Sequence, residues 1–387
     1  MSILPLVHTP HLIERLDRLE PFGIPQRDDI GQRLKLQDAF VKLKLTSRSA
    51  HKKLAKQLMQ WRNKIFHQGS AQLALFEISD QSDENMISEE KVVQWAKSFA
   101  GDTTDSDILH SLEIIFDSFS DDSESLDNVL AQERRVMIEG LAGSGKSTIL
   151  QWMAVKAAQR DFLDPMAAWN DLVPFFIRLR QCREGGFPAP EGWPHLEAKQ
   201  VAGLIPTGWV HDLLEKGKAI VLVDGVDEMP QSQRSDMLKE LRSLVHNYPL
   251  ARYVVTSRPT AISEKQWPEW RSWLREAGFV ETGVKELEGE QLDLFVGQWH
   301  DALEKTVLGK DAKSKVQRNA ANLKQLLRRR TDLRKLATTP LLGAMICALY
   351  QEREDKVPRE RLKLYEECVE MLLERREEKK GVRLDTD

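Results

Sequence analysis

The residues Gly140, Leu141, Ala142, Gly143, Ser144, Gly145, Lys146, Ser147 and Thr148 carry the densest chemical signal in the chain. Their pattern is G-x-x-x-x-G-K-[ST], that of a loop that wraps a polyphosphate. Glycines let backbone N–H groups approach an anion closely and take dihedrals closed to other residues. Lys146 offers a point charge to the β- and γ-phosphates, and Ser147 a hydroxyl to Mg²⁺. A helix starting at the loop aims the positive end of its dipole at the same anion. The alternative is a chance match in a glycine-rich turn. The context speaks against it: the apolar run Val136-Met137-Ile138 precedes the loop and an amphipathic stretch from Thr148 to Arg160 follows it.

Two further strand-like segments end in polar residues. Ala219 to Val223 are apolar and deliver Asp224 at the tip, followed by Gly225, Val226, Asp227 and Glu228. In a parallel α/β sheet that edge is where ligands bind. Asp224 is therefore placed to hold Mg²⁺, and Asp227 or Glu228 to orient or deprotonate an attacking water. An acidic loop that only caps the next helix is the competing explanation. Tyr253-Val-Val-Thr256-Ser257-Arg258-Pro259 ends the same way. Arg258 either contacts the γ-phosphate or pairs with a neighbouring carboxylate. No NKxD or TKxD guanine signature occurs, since Asn63-Lys64-Ile65-Phe66 fails at its last position, so ATP is favoured over GTP. An LSGGQ-like signature is also missing.

These tips require strands and helices to hold them. Apolar runs at Val136–Ile138, Pro174–Leu179, Ala219–Asp224 and Tyr253–Ser257, separated by helical stretches, predict an α/β fold with a parallel three-layer sheet. Residues 1–130 read as mainly helical: Thr9 caps a helix with Pro10 at its first position, placing Leu12, Ile13, Leu16 and Leu19 on one face. Leu54, Leu58, Trp61 and Ile65 recur at helical spacing, as do segments near Lys91–Phe99 and Ile108–Phe119. Val41, Leu43 and Leu45 alternate with lysines, a strand signal. Ser79 to Asn85 reads as a loop and Asp121 to Glu124 as a linker. Helices return from about Glu288, through Glu290–Leu303, Asn319–Leu336, Pro340–Tyr350 and Arg359–Glu378. The expected organisation is 1–130, an α/β unit at 131–287, a helical unit at 288–357 and a further unit beginning at 358–387.

The chain has 387 residues, 56 basic against 60 acidic, and a formal net charge of −4. Such a balance gives no general attraction to nucleic acid or an anionic membrane. Cys182, Cys347 and Cys368 form no CxxC pair, so neither a disulfide framework nor a zinc site is expected. The N-terminus has no signal-peptide pattern, and the longest apolar run, Leu341 to Tyr350, reads as a buried helix rather than a membrane span. A cytoplasmic protein is expected. Trp267, Trp270 and Trp273 read as a packed helix face rather than a base-stacking platform. The basic run Arg328-Arg329-Arg330 with Arg334 and Lys335 reads as a solvated face. His51 and His67 show no partner pattern for metal or nucleophilic chemistry.

Taken together, GLAGSGKST, AIVLVDGVDE and YVVTSRP resemble the NACHT NTPases, a branch of the signal-transducing P-loop ATPases. The DGxDE form is the most specific of these motifs. Val173 to Arg180 resembles the family's second strand, Thr338-Thr339-Pro340-Leu341-Leu342 its proline motif, and Leu364-Tyr365 the start of a winged-helix domain. Phe40–Leu45 resembles a short strand often found ahead of such domains. The resemblance spans roughly Arg134 to the end. It implies phosphate binding by Lys146 and the loop amides, Mg²⁺ held by Ser147 and Asp224, and hydrolysis supported by Asp227 and Glu228. It further implies a sensor role for Arg258 and a contact of Pro340 with the base. Departures exist: the histidine that holds ADP in such domains has no recognisable counterpart, and no C-terminal repeat sensor follows. Because the chain stops at Asp387, a fragment or a truncated form with sensing elsewhere is expected.

The resulting expectation is a slow ATPase switch that exchanges ADP for ATP, assembles conditionally into a homo-oligomer, answers an unknown trigger and serves innate immunity or anti-phage defence. The alternatives are a work-performing AAA+-like or helicase-like ATPase, for which no arginine finger is defined, and a nucleotide-binding scaffold that never hydrolyses.

Overall fold

The structure, a computed structural model, describes residues 4–17, 35–47, 123–182, 186–197, 202–263, 265–306, 310–353 and most of 357–370. The helical segments expected between Leu54 and Phe119, the loop at Ser79–Asn85, His51, His67 and the last part of Arg359–Glu378 lie outside the described residues.

A seven-stranded sheet organises the chain. Its strands are β1 (Lys44–Ser47), β2 (Ser123–Ser125), β3 (Arg135–Glu139), β4 (Val173–Arg178), β5 (Ala219–Asp224), β6 (Arg252–Ser257) and β7 (Val280–Val284). The order is β2-β1-β7-β3-β6-β5-β4. From β7 to β4 all neighbours are parallel. β1 runs antiparallel to both β7 and β2.

The helices are α1 (Leu4–Leu16), α2 (Leu36–Ala39), α3 (Leu126–Gln132), α4 (Lys146–Gln159), α5 (Trp193–Glu197), α6 (Trp209–Glu215), α7 (Arg234–Asn247) and α8 (Pro268–Glu276). Past the sheet follow α9 (Gly289–Thr306), α10 (Lys310–Arg329), α11 (Thr331–Leu336) and α12 (Pro340–Arg353).

The period-2 alternation of strands explains the layers. On β5, Ile220 and Leu222 join the core on one side, while Ala219, Val221 and Val223 join the core on the other. β3 divides in the same way, with Val136 and Ile138 against Met137, and β6 with Val254 against Tyr253 and Val255. One face is covered by α4, on which α1 packs, and is continuous with the core of α9, α10 and α12. The opposite face is covered by α6, α7 and α8. A sheet region buried on both faces needs nearly continuous apolar strands, and β3, β4, β5 and β6 are largely so.

Several expectations shift. α1 begins at Leu4 and runs through Pro10, so Thr9 does not start it; Leu12 and Leu16 are nonetheless fully buried. Val41, Leu43 and Leu45 are buried and Lys42 and Lys44 exposed, as alternation predicts, but pairing begins only at Lys44. Ser123 and Glu124, expected in a linker, pair with β1. The helix expected over Asn319–Leu336 breaks at Arg330 into α10 and α11. There the Arg330 guanidinium donates to the carbonyls of Val357 and Pro358 at 3.2 and 3.3 Å and pairs with Asp332 at 2.7 Å. β7 had no local signal: its Glu281, Thr282 and Gly283 interrupt any apolar run.

The tryptophans behave as a core. Trp267, Trp270 and Trp273 are buried, with successive ring centroids 5.0 and 5.1 Å apart. Leu342 and the run from Met345 to Tyr350 are likewise buried in α12. Arg328 pairs with Asp293. Among the described residues, no helix is long and apolar enough to cross a membrane.

Candidate functional site

Because β3, β5 and β6 are parallel and in register, Glu139, Asp224 and Ser257 end at one edge of the sheet. β6 lies between the other two. The loop after β3 and the acidic tip of β5 therefore face each other across the end of β6, and each predicted motif arrives at the same edge.

The loop from Gly140 to Gly145 leads into α4 with two residues in the left-handed region, Gly143 at φ 76° and Gly145 at φ 91°. A side-chain-bearing residue there would cost about 1–2 kcal/mol. Gly145 caps α4, and its carbonyl accepts from Ile149 N at 2.8 Å. The Lys146 ammonium donates to the carbonyls of Gly140 at 2.6 Å and Leu141 at 3.0 Å, so the loop itself holds its lysine. Burial pushes the Lys146 pKa below the ordinary lysine value, with Arg258 adding to the fall and Asp227, Asp224 and Glu228 opposing it. Ser144 Oγ is buried and has no hydrogen-bond partner among the described residues.

On the facing tip, Ser147 Oγ donates to Asp224 Oδ1 at 3.0 Å. Thr256 Oγ1 donates to the same oxygen at 2.8 Å and accepts from the Gly225 amide at 3.0 Å. The Asp224 carboxylate is thus fixed from the phosphate loop on one side and from β6 on the other. Gly225, at φ 78°, turns the chain into the Val226–Glu228 segment. Asp227 accepts from the Arg258 amide at 3.1 Å and pairs with its Nε at 3.1 Å. The pairing alternative for Arg258 is therefore realised, yet its side chain remains 53% exposed. Asp227 is 9% exposed, so it is the guanidinium, not the carboxylate, that stays accessible to a second anion.

Pro340 opens α12 directly beside the loop. A methyl group placed on Gly145 would stand 3.5 Å from Pro340 Cγ and 3.2 Å from Leu43 Cδ1. One placed on Gly143 would stand 2.8 Å from Leu341 Cβ. The Leu341 amide also donates to the Gly143 carbonyl at 3.2 Å. The structure thus gathers the Gly140–Thr148 loop, Asp224, Asp227, Glu228, Arg258 and Pro340 around one sheet edge.

Three neighbours escaped sequence reasoning. Thr256 had a usable signal, a polar residue on an otherwise apolar strand. Leu43 and Leu341 had none, since nothing in their own segments marks contact with a distant glycine.

An edge of a parallel sheet built from this loop and this acidic tip defines a P-loop NTPase. Residues 134–302 match the family model of the NACHT domain, a P-loop NTPase domain, which supports nucleotide binding by this part of the chain. No curated protein matches the chain. Among solved structures, domain III of the replication initiation protein DnaA of Thermotoga maritima is similar at 13% identity and a TM-score of 0.35, covering 64% of this chain and 88% of that one. A RuvB variant of Thermotoga maritima is similar at 10% identity and a TM-score of 0.31, covering 63% and 66%. AMPPCP-bound DnaA of Aquifex aeolicus is similar at 14% identity and a TM-score of 0.29, covering 66% and 85%.

Proposed function

We propose that the chain binds ATP with Mg²⁺ at this edge, hydrolyses it slowly, and uses the change from ATP to ADP as a switch that governs assembly with further copies of itself. The observation that carries this reading is the convergence of Ser147 Oγ and Thr256 Oγ1 on a single oxygen of Asp224.

The donor set fits a magnesium ion. A hydroxyl and a carboxylate oxygen 3.0 Å apart are hard oxygen ligands, the kind that ion prefers. Among the described residues no cluster of three or more His, Cys, Asp or Glu side chains could hold a metal unaided. This suits an ion shared between one or two protein ligands and substrate phosphates. Ser147 and Asp224 would hold the ion, and its positive charge would offset negative charge developing on the phosphate in the transition state.

The chain's own residues divide the remaining work. Lys146 turns from its two carbonyls toward phosphate oxygens. The loop amides and the Ser144 hydroxyl supply hydrogen bonds to the same group. Asp227 or Glu228 orients the attacking water. Arg258 reads the γ-phosphate by exchanging Asp227 for it. Pro340 touches the base. The three parts, an NTPase unit to about residue 287, a helical unit to 357 and a following winged-helix-like unit, move relative to one another as the nucleotide changes. The site of action is the cytoplasm, and the resemblance of the motifs to NACHT signalling ATPases extends the reading to innate immunity or anti-phage defence.

ATP turnover and particle size, measured on the wild type, Lys146→Ala and Glu228→Gln, test this. Lys146→Ala is expected to abolish ATP binding. Glu228→Gln is expected to retain ATP and shift the particle-size distribution upward. Rapid turnover without assembly would favour a work-performing ATPase, and wild-type ATP binding with no turnover a scaffold. Assembly unchanged in both variants would end the switch reading.

A further inference from the structure

Behind the phosphate loop lies a buried ionic cluster outside all of the sequence motifs. Arg271, on α8, is only 9% exposed. Its Nη1 sits 2.7 Å from Glu139 Oε1 and also pairs with Glu281 Oε2. Its Nε donates to the Ile262 carbonyl at 2.7 Å. Each partner belongs to a different part of the site. Glu139 is the last residue of β3, immediately before Gly140. Ile262 closes the short turn Pro259–Ile262 that begins at Arg258. Glu281 lies on β7, the strand that runs on into α9.

We infer that Arg271 is a positioning residue that couples the γ-phosphate-reading turn at Arg258 to the root of the phosphate loop and to β7. Three physical facts support this. First, a guanidinium presents donors in a fixed planar fork, so movement of one partner changes its geometry toward the others. Second, the cluster is buried, with Glu139 6% and Glu281 15% exposed, so solvent cannot replace a lost contact cheaply. Third, the β3–β6 seam is already tight at this point, since the Gly140 amide donates to the Ser257 carbonyl at 3.2 Å. A shift of the Arg258 turn toward a γ-phosphate therefore pulls on Ile262, and through Arg271 on the two carboxylates. One of these anchors the loop, and the other anchors the strand that leads to the helical region.

The inference rests on the ATP-switch reading, and its test separates the two. ATP and ADP affinities are measured on the full chain by calorimetry for the wild type, Arg258→Ala, Arg271→Lys and the double variant. Arg271→Lys keeps the charge but loses the fork. It is expected to leave ADP affinity near wild type and lower the ATP-to-ADP affinity ratio by about five- to tenfold, the low end of ordinary coupling. Its effect and that of Arg258→Ala should be non-additive, as for two members of one chain of contacts. Arg271→Met combined with Glu281→Gln, which removes one buried carboxylate with the guanidinium, is expected to show the same loss of discrimination with a cooperative melting transition retained. Equal weakening of ATP and ADP, or strict additivity with Arg258→Ala, would reduce Arg271 to a packing role and overturn the coupling. Failure of the wild type to bind ATP at all would instead overturn the nucleotide-site reading, and the coupling with it.

Discussion

Asp224 Oδ1 accepts two hydroxyl hydrogen bonds, and that single atom sets much of what the site can do. The Thr256 hydroxyl is fully buried and spans two groups, donating to the carboxylate and accepting from the Gly225 amide. Thr256→Val keeps the shape of the side chain and removes both bonds. Leaving a buried amide and a carboxylate oxygen short of partners costs about 1–3 kcal/mol. Denaturant unfolding should report a loss of that order. Affinity for ATP should fall more in the presence of magnesium than in its absence, because the freed carboxylate is the group proposed to meet the ion. An equal fall under both conditions would point to the loop rather than to Asp224.

At the scale of elements, the helical region holds a buried titratable group. His300, on α9, is 1% exposed; its Nδ1 donates to the Val296 carbonyl at 2.7 Å, and its Nε2 has no partner among the described residues. Burial holds its pKa below the ordinary 6.5, with Lys324 adding to the depression and the Val296 bond and Asp301 opposing it. The unfolded chain therefore takes up a proton at a higher pH than the folded one. Between the two pKa values stability falls as pH falls, because the unfolded state binds more protons. His300→Gln should remove this component. Melting temperatures recorded from about pH 7.5 down to about pH 5 should decline less steeply in the variant than in the wild type. Parallel curves would show that His300 does not titrate in this window.

At the scale of the whole molecule, the phosphate loop is the meeting point of segments far apart in sequence. Leu341 donates its amide to Gly143, and Leu43 and Pro340 flank Gly145. Gly143→Ala would place a methyl group 2.8 Å from Leu341 Cβ in a backbone conformation of φ 76°. The dihedral alone costs about 1–2 kcal/mol, and relief of the clash requires α12 or the loop to move. Hydrogen exchange at the Leu341 amide is expected to accelerate and the melting temperature to fall. Gly278→Ala is the control, since it carries a φ of 69° with nothing within 4 Å of the added carbon. If both variants behave alike, the Leu341 contact contributes nothing beyond backbone strain.

By itself the sequence determined the chemistry of the loop and the polar tips of β5 and β6. Phosphate wrapping is done by a contiguous stretch of backbone, and a strand buried on both faces must be apolar to its end, so both leave a local trace. The same logic made the boundaries of β4, β5 and β6 readable to within a residue. Tertiary structure alone decided that β6 lies between the loop strand and the acidic strand, that β7 and β2 are strands at all, and that Arg271 meets Glu139 at the end of β3, Glu281 on β7 and the Ile262 carbonyl in the turn after β6. It also decided that Leu43 and Leu341 border the loop. These facts rest on contacts between residues separated by tens to hundreds of positions, where the partner rather than the local periodicity dictates the conformation. A strand such as β7, with Glu281 serving Arg271 and Thr282 donating to the Met137 carbonyl at 3.2 Å, is written in the needs of its neighbours.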